Sequence, residues 1–250
     1  MREAAAGGLL NHLGSEPRLG SPSRGGLPDT TATPTPDGAQ LLVNGRKTWA
    51  TGGRRLTHLL VRVAVGDQGG VVLVRQGDED TPGVEWIETW RDALSLRATD
   101  SNDVVFRDVA VPRENLIETG NPRALPNVWF PMLLSAVYLG TALAARDALI
   151  RYALERVPTA LGKPIATLPK IQRQVGEIDV ALMAARALLF EVAGEWTGRD
   201  ADRPAMMARI AAAKMAVSAA ANEATEKALQ AAGGAALTGA LPLERCFRDV

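Results

Sequence analysis

The sequence predicts an α+β fold in two parts, an antiparallel β-barrel or sandwich module followed by an antiparallel helical bundle. Two observations carry this expectation. Through residue 122, short β-rich runs recur between turn signals, which is the spacing of a small all-β module. From residue 123 onward the composition shifts to Ala, Leu, Met, Glu, Lys and Arg, residues that favour helix. The expected domains are therefore residues 1–122 and 123–250. Neither carries a Walker loop, or a G-x-G-x-x-G turn between a strand and a helix, so a Rossmann nucleotide site is not supported.

Taken in chain order, residues 15–36 are rich in Pro, Gly, Ser and Thr and read as irregular loop. Strands are expected at 40–49, 56–65, 71–75, 84–90 and 103–111. The run Asn44-Gly45-Arg46-Lys47-Thr48-Trp49-Ala50-Thr51 opens on Asn-Gly, a hairpin signal. Side chains two apart on a strand share a face, so Trp49 and Thr51 admit two readings. Either Trp49 is core in a hairpin, or the pair stacks on a planar ring and hydrogen-bonds it. From these residues alone the core tryptophan is the simpler reading. Helices are expected at 127–156, 168–196 and 203–232, with Pro158, Pro164 and Pro169 between the first two and Gly233-Gly234 as the final stop. Alanines such as Ala211, Ala212, Ala213, Ala219, Ala220 and Ala221 let helices approach closely, within the chain or against a second one.

Composition excludes several classes. Apolar residues make up 46% and charged residues 22%, as in an ordinary globular chain. Lys plus Arg balance Asp plus Glu at 28 each, so a nucleic-acid partner is not expected. The single cysteine, Cys246, excludes an internal disulfide and reads as a small buried hydrophobe. With only His12 and His58 a metal site is not expected; His12 reads as a structural hydrogen-bonder and His58 as a residue on a solvent face. A reducing, cytoplasmic setting is expected, with no secretory signal at the N-terminus. No membrane partner is expected either, charges being read as interrupting even the alanine-rich second half.

Four segments, in this order along the chain, resemble the acyl-CoA dehydrogenase superfamily of flavoproteins. Ser15-Glu16-Pro17-Arg18-Leu19-Gly20-Ser21 is similar to the family's Thr/Ser-Glu-Pro-x-x-Gly-Ser loop. Gly45-Arg46-Lys47-Thr48-Trp49-Ala50-Thr51 is similar to its Gly-x-Lys-x-Trp-Ile-Thr strand. Leu96-Arg97-Ala98-Thr99-Asp100-Ser101, continuing through Val105 to Pro112, resembles the strand that closes its middle domain. Gln230-Ala231-Ala232-Gly233-Gly234 resembles the turn that ends a C-terminal helix. The resemblance covers residues 7–250.

The resemblance implies FAD as cofactor, with Trp49 against the isoalloxazine and Thr51 hydrogen-bonding near N5. It implies that Ser15 and Ser21, with their loop amides, contact the flavin and pyrophosphate. It also implies that Gln230 and Gly234 meet the adenosine and pyrophosphate end of an FAD bound mainly by a neighbouring subunit, in a homo-oligomer, dimer or tetramer. The implied activity is α,β-dehydrogenation of an acyl-CoA thioester with hydride transfer to the flavin, electrons leaving through an electron-transfer flavoprotein. Arg97 is expected to pin a strand through a salt bridge.

The chain also departs from that pattern. It is expected to be the middle and C-terminal part of a longer enzyme, truncated at both ends, and no residue in it is identified as the catalytic base. Arg156-Val157-Pro158-Thr159-Ala160-Leu161-Gly162 departs from the dehydrogenases' Arg-x-x-Phe-Gly pattern by two residues. That region is closer to the branch of two-component monooxygenases, which take reduced flavin such as reduced FMN from a separate flavin reductase and activate oxygen. A third expectation, from a different class, is a non-catalytic remnant acting through assembly.

Overall fold

The computed structural model describes residues 6–19, 26–77, 81–119, 128–198 and 202–250. The chain divides into two compact units, Met1–Leu125 and Pro126–Val250.

The first unit is an eight-stranded sheet. Its strands are β1 (Leu10–Leu13), β2 (Thr31–Pro34), β3 (Gln40–Ala50), β4 (His58–Val65), β5 (Gln68–Arg75), β6 (Val84–Ile87), β7 (Asn102–Pro112) and β8 (Leu116–Thr119). The hydrogen-bonded path runs β6-β7-β3-β2-β4-β5-β8, with β1 beside β4. The sheet is open rather than a closed barrel, and mixed rather than antiparallel, because β1 and β2 both pair parallel to β4. Period-2 alternation aims Leu59, Val61 and Val63 of β4 inward. They meet Val72 and Val74 of β5, Leu41 and Val43 of β3, and Val104, Phe106, Val109 and Val111 of β7 in one core. Gly66 at φ 61° permits the two-residue turn that joins β4 to β5.

Asn44-Gly45 is not a turn. It lies inside β3, where the register against β7 shifts between Val43 and Gly45. Asn44 and Asp108 bridge the irregularity: Asn44 Nδ2 donates to Asp108 Oδ1 and the Asp108 amide donates to Asn44 Oδ1, both at 2.9 Å. Glycine is required at 45 because a Cβ there would sit 2.6 Å from Thr30 Cα. His58, expected on a solvent face, is buried at the start of β4, and its Nδ1 lies 2.8 Å from Thr57 Oγ1. The burial follows from β4 lying between β5 and the parallel strands β1 and β2.

The second unit is helical: α1 (Trp129–Glu155), α2 (Pro169–Thr197), α3 (Met206–Ala232) and a short α4 (Leu243–Asp249) that the composition did not reveal. Pro169 occupies the first turn of α2, where its missing N–H costs nothing. Gly233, at φ 61°, ends α3. The helices meet through Leu139, Ala142 and Leu149 of α1, Ile178, Leu182 and Leu189 of α2, and an alanine face on α3 that includes Ala213, Ala221, Ala224 and Ala228. Cys246 is buried in this core, and burial pushes its thiol pKa up. Arg146 of α1 forks onto Asp179 of α2 at 2.7 and 3.1 Å, which raises the guanidinium pKa further.

The expectation about membrane spans needs correction. The chain carries no charge between Arg123 and Arg146. Helix α1 is long and apolar enough to cross a membrane by length and composition. One of its faces builds the bundle core, while Phe130, Leu133 and Val137 are more than 60% exposed.

Candidate functional site

Trp49 and Thr51 do lie together at one edge of the sheet, but the strand rule that paired them does not hold. A second register shift falls between Lys47 and Ala50, where three steps of β3 match two of β7. Trp49 sits in that bulge with a left-handed φ of 56°. In regular alternation it would share the face of Lys47 and be buried; the bulge turns it outward, so the indole is 60% exposed. The core-tryptophan reading is overturned.

Thr51 lies one residue past β3 and is fixed from several sides. Its amide donates to Trp49 O at 2.9 Å, and its carbonyl accepts from Asn11 Nδ2 of β1 at 2.8 Å. Its hydroxyl lies 2.9 Å from the Ser101 hydroxyl, which is buried and 2.7 Å from Thr99 Oγ1. Gly52 N donates to Thr99 O at 2.8 Å, tying the same two segments together by backbone.

Strain gathers at this edge. Leu96 and Asp100 are left-handed at φ 50° and 49°, so three of the four non-glycine residues with positive φ among the described residues belong to these two tethered segments. Gly53 is required here, because a Cβ would lie 2.1 Å from Asp100 Oδ2. Arg97, expected to form a salt bridge, donates from Nε to the Ala93 carbonyl at 2.9 Å and so closes its own short turn.

Ser15 is brought to the same edge through the backbone: its carbonyl accepts from Thr48 N at 3.0 Å. The next residue supplies the anchor. Lys47 Nζ lies 2.6 Å from Glu16 Oε1, with both side chains essentially excluded from solvent. The same carboxylate accepts from Asp29 N at 2.7 Å and Thr30 N at 3.0 Å. Burial alone would raise the Glu16 pKa, but the Lys47 ammonium with the Thr30 and Asp29 donors holds it below the ordinary value. Burial lowers the Lys47 pKa, and Glu16 opposes that change. Ser21 lies outside the described residues.

Gln230 and Gly234 belong to the second unit. Gln230 is exposed near the end of α3, with Nε2 donating to Glu226 Oε1 at 3.0 Å. A Cβ at Gly233 or Gly234 would meet nothing within 4 Å. Backbone conformation explains glycine at 233; at 234 nothing within its own unit demands it, and its backbone is open to close approach.

These residues fit the flavin that the resemblance implies. An exposed flat ring stands in a strained backbone, a positioned hydroxyl lies two residues on, and the loop beside them is latched from below. Sequence reading did not single out Glu16, Lys47, Asn11, Thr99 or Ser101 as positioning groups. Apart from Asn11, all of them stand inside the quoted motifs, where a Glu and a Lys in matched segments were the available signal.

Comparison with known proteins agrees in both halves. Residues 13–109 match the acyl-CoA dehydrogenase middle domain and residues 132–250 the acyl-CoA dehydrogenase C-terminal domain. YdbM of Bacillus subtilis (strain 168), assigned as an acyl-CoA dehydrogenase, is 37% identical over 253 residues, covering 100% of this chain and 64% of its own length. The mitochondrial short-chain specific acyl-CoA dehydrogenase of Mus musculus is 29% identical, covering 94% of this chain and 56% of its own. The chain thus spans less than two thirds of these relatives. Among solved structures, FMN-bound TdsC from Paenibacillus sp. A11-2 superimposes with a TM-score of 0.82 at 25% identity, covering 99% of this chain and 66% of that one. Butyryl-CoA dehydrogenase from Megasphaera elsdenii gives 0.78 at 24% identity over 97% of this chain and 62% of that one. With a middle-domain match over the sheet and a C-terminal-domain match over the helices, the chain belongs to the acyl-CoA dehydrogenase family.

Proposed function

We propose that the chain holds FAD and serves the α,β-dehydrogenation of an acyl-CoA thioester. The observation that carries this reading is the Trp49–Thr51 edge: an indole turned outward by a bulge, beside a hydroxyl whose backbone is fixed on both sides. When bound, the flavin supplies the hydride acceptor at N5. Trp49 offers a face for the isoalloxazine, Thr51 a polar contact at the N5 side, and Ser15 a position beside both. The Glu16–Lys47 latch keeps the Ser15 loop against β3. Gln230 and Gly234 suit the adenosine and pyrophosphate end of an FAD held by a second copy, so a homo-oligomer is part of this reading. An electron-transfer flavoprotein is the matching electron acceptor.

The test is the visible spectrum of the purified chain after incubation with FAD, followed by anaerobic addition of butyryl-CoA. Flavin absorbance that co-purifies and then bleaches supports the reading. A colourless protein, or flavin that stays oxidised with the series of acyl-CoA chain lengths, overturns dehydrogenation by this chain.

A second reading, a two-component monooxygenase fed with reduced FMN, has its own observation. The residues after α1 that break the Arg-x-x-Phe-Gly spacing form a separate turn, with the Leu161 and Gly162 amides donating to Pro158 O at 3.0 and 2.9 Å. The likeness to FMN-bound TdsC points the same way. Tighter binding of reduced FMN than of FAD would favour it.

A further inference from the structure

We propose that Thr51, Ser101 and Thr99 form a one-way hydroxyl chain that leaves Thr51 Oγ1 facing outward as an acceptor, so that this position favours reduced over oxidised flavin. The inference rests on the flavin reading above. Its direction follows from counting hydrogens. Each hydroxyl has one proton to donate, and a carbonyl oxygen has none. The Leu96 carbonyl accepts from Thr99 N at 3.0 Å, from Trp90 Nε1 at 3.0 Å and from Thr99 Oγ1 at 2.8 Å. The Thr99 proton is therefore committed to Leu96.

The 2.7 Å contact between Thr99 and Ser101 needs a proton, and only Ser101 has one left to give. The 2.9 Å contact between Ser101 and Thr51 must then use the proton of Thr51. Ser101 is buried, at 4% exposure, which keeps solvent from resetting the order. Asn11 and Trp49 fix the Thr51 backbone, so the hydroxyl stays seated on Ser101.

The consequence lies in the flavin's chemistry. Oxidised N5 carries a lone pair and accepts; reduced N5 carries a hydrogen and donates. An outward acceptor at Thr51 meets the reduced form directly. To meet the oxidised form, Thr51 must turn its proton away from Ser101 and leave a buried hydroxyl short of a donor. Ser101, which is buried, and Thr99, which is less exposed than Thr51, are positioning residues for that preference.

The test is the two-electron reduction potential of the FAD-loaded chain, by dye equilibration, in wild type, Thr99→Val and Thr99→Ser. Valine keeps the shape but removes the acceptor that orients Ser101. The Ser101 proton then swings to Thr51, whose own proton turns outward. The ratio of affinities for reduced and oxidised flavin is expected to fall about tenfold, a downward shift of about 30 mV, while serine restores the wild-type value. An unchanged potential in Thr99→Val, or an equal shift in Thr99→Ser, overturns the chain and leaves the flavin reading standing. A chain that binds neither FAD nor reduced FMN overturns both. Neutron diffraction from the deuterium-exchanged, flavin-free protein gives an independent answer: a deuteron bonded to Thr51 Oγ1 and directed at Ser101 supports the order, and one bonded to Ser101 Oγ and directed at Thr51 overturns it.

Discussion

The two units bury polar groups to different ends. In the helical unit the buried polar side chains among the described residues are Ser135 and Thr225, and each donates back to its own helix, to Pro131 O at 2.7 Å and Ala221 O at 2.9 Å. In the sheet unit Glu16, Thr30, Lys47, His58, Ser101 and Asp103 are buried, and most of their bonds cross between segments. Polar burial is costly unless each group finds a partner. Where it is used to join segments it fixes loops to a strand edge, and that edge carries Trp49 and Thr51. The helical unit instead keeps its cross-helix ion pairs, such as Arg146–Asp179 and Lys227–Glu177, near the surface.

The contrast can be broken at its strongest point first. Lys47→Met leaves the Glu16 carboxylate buried without its cation and is expected to cost about 3–5 kcal/mol in urea denaturation. A Glu16→Gln, Lys47→Met double variant should recover much of that loss. The same carboxylate sets an acid limit. Its folded pKa lies below its unfolded one, so its contribution is complete above the ordinary glutamate value, about 4.3, and is lost as pH falls through the folded value. Thermal midpoints measured against pH should therefore drop more steeply below that value in wild type than in the double variant.

The helical unit should answer to volume instead. Ala221→Leu, at a fully buried position facing neighbouring helices, is expected to cost about 1–3 kcal/mol. Smaller, and opposite in sign, is Trp49→Gly: relief of the left-handed backbone should stabilise the chain by about 1 kcal/mol while abolishing flavin retention. Smallest of all, Arg209→Gln, which removes an exposed guanidinium from Glu191 and Glu195, should leave the denaturation midpoint nearly unchanged at moderate salt.

The long helices were legible because composition and proline placement both act locally; α1, α2 and α3 begin and end within three residues of the expected positions. Most of the short strands were not. β1, β2 and β8 have four residues each, as does β6, which fell within the expected run at 84–90; β1 is held by a parallel partner on β4 far away in sequence, and β2 lies in the Pro- and Gly-rich stretch that reads as loop. The site was legible as motifs and illegible as geometry. A bulge of one residue reversed the expected burial of Trp49, and nothing in a run of alternating residues announces where an extra one is inserted. The distant partners of Thr51 are Asn11 and Ser101, with Thr99 one bond further on, separations that no local pattern spans.

The Glu16 carboxylate stands at the start of a loop and accepts from Asp29 N and Thr30 N at its end, while Lys47 holds it from the sheet. Both feet of the intervening segment therefore rest on one side chain. A loop closed this way tolerates changes of length, since ring-closure entropy changes only slowly with length. Among its described residues the segment meets the sheet at one further point, where the Gly26 carbonyl accepts from Arg62 of β4 at 3.2 Å, so a change within it reaches the sheet at Glu16 and at Arg62. For a protein engineer this is the place to alter what the edge recognises without refolding the domain.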